Sequence, residues 1–209
     1  MKKILILLFV CFSIITFSQS KYETGMKKGL DDVKMVKTSE EMLASSAFFE
    51  RIANTEKDKW LPYYYAALYN HLAAWMDAKS DKDKVSLKTI ELIEKAELID
   101  ANNSELFCLR QMVAVMQMTV DPMNRWMTYG QQGTKALENA KKADPNNPRI
   151  YFLEGQTIMN TPEQFGGGKV KAKPLFEKAV ELYAKQSVPS ELHPIWGKDD
   201  AEKSLKLCQ

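Results

Sequence analysis

Two histidines, three cysteines and one glycine triplet hold most of the reactive chemistry this sequence offers. His71 lies in a tyrosine-rich stretch, and His193 stands beside Pro194. Covalent catalysis needs a base next to the nucleophile and a third group to orient that base. Cys108 with His71 is the pair to consider, and no orienting group accompanies it. Structural and catalytic zinc sites show spacings such as C-x-x-C or H-x-x-x-H, and neither occurs here. The expectation is a protein that is not an enzyme and holds neither a metal nor a cofactor. A hydrolase using His71 or His193 is the weakest of the functions considered.

Phe165-Gly166-Gly167-Gly168-Lys169 invites a phosphate-binding reading, because backbone amides at a helix N-terminus bind anions. A P-loop, however, requires Gly-x-x-x-x-Gly-Lys followed by Ser or Thr, and Val170 follows Lys169 here. No strand precedes it. The plainer reading is a connection between helices whose positive-φ positions demand glycine. A loop that covers a small-ligand pocket stays open beside it.

Binding chemistry is better represented. Trp60, Tyr63, Tyr64, Tyr65, Tyr69 and Trp75 crowd one segment. Each residue of a helix turns about 100°, so Tyr63, Tyr64 and Tyr65 cannot share a face, and at least one is expected to point away from the core. Aromatic side chains on an open face anchor peptides at modest entropic cost. Tyr64, Asn70, His71, Gln111, Arg149 and Gln156 are the candidates for a partner-binding face.

These residues must be positioned by helices, since no alternating strand pattern appears. Residues 1–18 read as a signal peptide: Lys2 and Lys3 precede an apolar run from Ile4 to Phe17, with Thr16 and Ser18 at the cleavage site. The run is shorter than the roughly 20 apolar residues a membrane span needs, so no insertion is expected after cleavage. Cys11 follows Phe9-Val10, which is not the small-residue context of a lipidated cysteine. The expected location is the periplasm or the extracellular space. The remaining residues, 19–209, are expected to form a single domain.

Without Lys2 and Lys3 the chain carries 27 basic and 27 acidic residues. That balance lacks the positive footprint nucleic-acid binding requires. Two cysteines remain, Cys108 and Cys208. They pack as small hydrophobes or bridge the last helix to the second repeat, and spacing does not choose between these.

Helical periodicity runs from Ser39 onward. Long helices are expected over Trp60–Ala78, Val85–Ile99, Ser104–Val120, Met123–Ala143, Pro148–Asn160 and Lys169–Gln186, with a short one over Asp199–Cys208. Pro62, Pro122 and Pro148 suit first turns, where no amide donor is needed. Gly130 and Gly133 would let a neighbouring helix approach closely. Ala53, Ala96, Ala140 and Ala179 recur at spacings of 43, 44 and 39 residues, each near the end of a helix. A helical repeat near forty residues indicates stacked hairpins. The fold expected is all-α, a superhelix of stacked antiparallel pairs with about eight helices and a short N-terminal one.

The corner Asp144-Pro145-Asn146-Asn147-Pro148 and its flanks resemble the tetratricopeptide repeat. Tyr151 and Gly155 fall where that family's first helix carries a large aromatic and a small residue. Ala140 and Ala179 match the second-helix alanine, and Pro145 matches the turn proline. The resemblance covers roughly residues 40 to 186. The period is longer than the family's 34, and Glu154 stands where leucine is usual. The Phe165–Gly168 loop and Pro194-Ile195-Trp196-Gly197 look like those of exported tetratricopeptide-like proteins of Bacteroidetes-type bacteria. The resemblance implies a concave face lined by first helices, and so an exported protein that binds a protein or peptide partner there. The alternative is a solute-binding accessory subunit of an envelope transporter.

Overall fold

A computed structural model describes residues 21–209. The expected signal peptide lies outside them. All the regular structure among the described residues is helical, with no strand. Helix α1 spans residues 21–32. It is followed by α2 (Ser39–Thr55), α3 (Trp60–Met76), α4 (Lys82–Glu97), α5 (Ser104–Val120), a single turn α6 (Pro122–Arg125), α7 (Gln131–Ala143), α8 (Pro148–Asn160), α9 (Lys169–Lys185) and α10 (Lys198–Leu207). Neighbours pack as antiparallel pairs: α2 on α3, α3 on α4, α5 on α7, α8 on α9, and α10 closing against α9.

Local chemistry starts and stops these helices. Thr38 caps α2 in a reciprocal arrangement with Glu41, which satisfies two orphan amides. Asn103 and Asn147 cap α5 and α8 by accepting from Glu105 and Arg149 amides. Asp121 caps α6 by accepting from the Asn124 amide, with Pro122 in the first turn. The four periodic alanines, Ala53, Ala96, Ala140 and Ala179, are all fully buried. Each lies in one of the two core clusters.

Two expectations need correction. The helix expected over Met123–Ala143 is broken: a π-helical turn, Trp126–Gly130, separates α6 from α7. Trp126 and Met127 in this turn are exposed. Tyr63, Tyr64 and Tyr65 are all buried. None needs to face solvent, because α3 is flanked by α2, α4 and α5 and crossed by the C-terminal segment, where the Tyr65 hydroxyl donates to the Leu192 carbonyl at 2.8 Å. A helix apolar all round is a buried helix.

The core has two clusters, one around α2–α5 and one around α7–α10, and both reach Met112 and Trp196. Cys108 and Cys208 are free thiols, Cys108 fully buried.

Candidate functional site

The N-terminal ends of α3, α5 and α8 converge on a buried polar network. Asn147 Nδ2 donates to Ser104 Oγ at 3.0 Å and to Glu105 Oε1 at 2.8 Å. Arg149 Nη1 reaches the same Oε1 at 3.0 Å. The Tyr64 hydroxyl donates to Glu105 Oε2 at 3.3 Å and accepts from Trp196 Nε1 at 2.7 Å. The Arg149 guanidinium lies 5.0 Å from the Trp196 ring and 5.9 Å from the Tyr183 ring, within cation–π range. Burial pushes the Glu105 carboxyl up, and Arg149 beside it pulls it back. The network holds residues 187–197 against the helices, with the Tyr183 hydroxyl on the Trp196 carbonyl at 3.1 Å.

Tyr64 and Arg149 are therefore brought together, but buried. The other candidates for a partner-binding face are scattered. Asn70 turns to α4, donating to Thr89 Oγ1 at 2.8 Å. His71 is buried and accepts from Trp75 Nε1 at 2.9 Å. Burial pushes its pKa down to about 4. Gln111 spans to α8, donating to Thr157 Oγ1 at 3.0 Å. Gln156 is the one of the six that stays partly exposed. The other five are buried and so do not form the open face expected of them: Tyr64, Asn70, Gln111 and Arg149 each bond to another helix, and His71 bonds within α3.

The glycine-rich loop is a turn. The amides of Gly166, Gly167 and Gly168 donate to the carbonyls of Glu163, Pro162 and Ile158, so none of the three is left for a phosphate. Gly166 and Gly168 have φ of +88° and +100°, where only glycine is unstrained. Phe165 is exposed, Lys169 opens α9, and Lys171 Nζ donates to the Gly166 carbonyl at 3.0 Å.

Neither histidine contacts Cys108. His71 spends Nε2 on Trp75, while Cys108 packs in the other core cluster, its thiol pushed well up by burial. His193 meets Ser190 Oγ through Nδ1 at 2.9 Å and sits edge-on to Trp60. Among the described residues no group of three or more His, Cys, Asp or Glu is placed to hold a metal ion.

Two surfaces remain that could receive a ligand. A cleft of about 630 Å³ opens between the Asp100–Asn103 and Asp144–Asn147 corners, and the 187–194 segment closes its side. Its walls carry Asp100, Glu105 and Asp144 against Lys185 and His193. The opposite ends of α3 and α5 carry the second surface. Trp75, Met76, Val120, Met123, Trp126 and Met127 there are 42–84% exposed. Lys82 Nζ lies 4.4 Å from the Trp75 ring centroid. Arg125 pairs with Asp83 through two bonds of 2.6 and 2.9 Å, which ties the α6 turn to the start of α4. A second cavity, about 460 Å³, adjoins Met127 and Lys135. Exposed apolar side chains grouped at one end can mark an interaction site, and π-helical turns concentrate at functional sites. Of these residues only Trp75 stood out in the sequence, within the aromatic segment 60–75. The proline and aspartate that break the helix at 121–122 were the available signal that this end departs from the repeat.

No protein-family model and no curated protein matches the chain. Among solved structures, the HusA haemophore from Porphyromonas gingivalis matches at 37% sequence identity and a TM-score of 0.82. The match covers 90% of this chain and 92% of that one. With identity of that degree sustained over nearly the whole length of both molecules, the chain belongs to the family of the HusA haemophore.

Proposed function

We propose that this protein is an exported, non-enzymatic carrier of haem or a haem-like tetrapyrrole, built on a tetratricopeptide-like stack with residues 1–18 as its export signal and 19–209 as one domain. The observation that carries the reading is the 37% identity with a haemophore across nine-tenths of both chains. The surface chemistry supports it at one end of the molecule. Haem is a flat apolar macrocycle with carboxylates on one edge. The patch of Trp75, Met76, Val120, Met123, Trp126 and Met127 supplies apolar and aromatic contact, and Lys82, Arg125 and Lys135 stand beside it. Methionine and aromatic side chains are adaptable partners for such a ring. The corner cleft suits haem less well, because Asp100, Glu105 and Asp144 line it and like charges repel. A peptide in the inner groove has less behind it, since Tyr64 and Arg149 are covered by residues 187–197.

Titration of the purified protein with haem, followed by Soret absorbance, tests the reading. Saturable binding is expected. Met123→Ser with Trp126→Ser should weaken it at least tenfold, equivalent to about 1.4 kcal/mol, and His193→Ala should leave it unchanged. Loss with His193→Ala and none with the double variant would move the site to the corner cleft. Absence of saturable binding would end the proposal.

A further inference from the structure

We propose that Trp75, Lys82 and His71 form a stacking subsite that a ligand carboxylate opens: Lys82 leaves the Trp75 ring to pair with the carboxylate, and the ligand plane takes its place. This rests on the haem-carrier reading and names the residues that would recognise the acidic edge of the ligand.

Trp75 is 46% exposed, yet its ring is held. Its indole N–H donates to His71 Nε2 at 2.9 Å from one turn away on the same helix, and the two rings meet at 60°. A histidine that accepts through Nε2 is neutral and carries its proton on Nδ1. His71 Nδ1 is buried without a hydrogen-bond partner, so burial is tolerated there in order to present the acceptor to Trp75. The result is a surface tryptophan with a fixed plane.

Lys82 covers that plane at 4.4 Å. Among the described residues no carboxylate holds its ammonium, because the adjacent Asp83 is taken by both terminal nitrogens of Arg125. The ammonium therefore rests on a π-face, a weak partner at an exposed site, within a side chain's reach of the apolar patch. A planar ligand without an anionic edge would displace Lys82 and give it nothing in return. One with a carboxylate offers the ring a stacking partner and the ammonium a charge-assisted hydrogen bond. The subsite selects flat, acidic ligands over flat, neutral ones.

The test compares haem with its dimethyl ester, whose carboxylates are masked, on wild type, Lys82→Gln and Trp75→Leu. Wild type is expected to bind the diacid about tenfold more tightly than the diester. Lys82→Gln should lose that preference by weakening the diacid and relieving the penalty on the diester, and Trp75→Leu should weaken both ligands. His71 is a positioning residue: His71→Phe should weaken diacid and diester several-fold, and His71→Gln, which retains an acceptor, should recover most of it. Lys82 is at the surface, so its variant keeps the fold and the comparison stands even if His71→Phe does not. If wild type and Lys82→Gln discriminate equally between the two ligands, the subsite is wrong while the carrier reading survives. If wild type binds neither ligand, both fall.

Discussion

Arg149 is the largest fully buried side chain among the described residues, and its Nε and Nη2 have no hydrogen-bond partner. Its remaining charge is met by Glu105 and by the faces of Trp196 and Tyr183. Removing one member of such a group leaves the others uncompensated, which is why Arg149 belongs to the scaffold. His71 carries a pH dependence of its own. Its folded pKa is lowered from 6.5 to about 4 by burial, so the unfolded chain takes up the proton first as pH falls. Stability from this group is complete above pH 6.5 and is lost between pH 6.5 and 4. At about 1.36 kcal/mol per pKa unit, the loss is on the order of 3 kcal/mol. Denaturant melts at pH 7 and pH 4.5 should show a smaller drop for His71→Gln than for wild type. An equal drop in both would assign the acid sensitivity elsewhere.

At the scale of the element, close approach between helices is set by glycine. A Cβ on Gly155 would lie 2.7 Å from Cε1 of the fully buried Phe176. Gly155→Ala should therefore cost about 1–3 kcal/mol by overpacking the α8–α9 contact. Gly130 meets only Met118 Sδ, at 3.9 Å, and Gly130→Ala should be neutral or stabilising by up to about 1 kcal/mol through helix propensity. Thermal melts of the two variants in parallel check the contrast. Shifts of the same sign and size would show that the α8–α9 spacing can relax. Tyr151 and Gly155 drew notice only through the resemblance to a repeat, and Gly155 does lie against Phe176 of α9. The π-helical turn at Trp126 was not legible: the sequence reads as a single helix through it.

At the scale of the molecule, residues 187–197 tie the two core clusters together. Tyr65 and Tyr183 hold the Leu192 and Trp196 carbonyls, and Trp196 donates to Tyr64. Tyr65→Phe with Tyr183→Phe removes two of these three bonds while keeping the rings. Each bond contributes about 0.5–1.5 kcal/mol net, so global stability should fall modestly. Amide exchange should quicken mainly within residues 187–197. A uniform rise in exchange along the chain would show instead that the segment and the stack unfold as one unit.

The amino-acid sequence by itself determined the helical class, the corners at Asp100 and Asp144, and the placing of the four periodic alanines in the core. All of these depend on periodicity and capping within a few residues, and Ala53, Ala96, Ala140 and Ala179 are buried as their spacing implied. Only the tertiary structure decided which polar residues face solvent. Tyr64, Arg149 and Gln111 are polar in the interior where groups far along the chain, Trp196, Glu105 and Thr157, arrive to hydrogen-bond them. Trp75 and Trp126 are apolar at the surface because no later segment arrives to cover that end. Burial is a property of what packs from a distance, and local pattern carries no record of it.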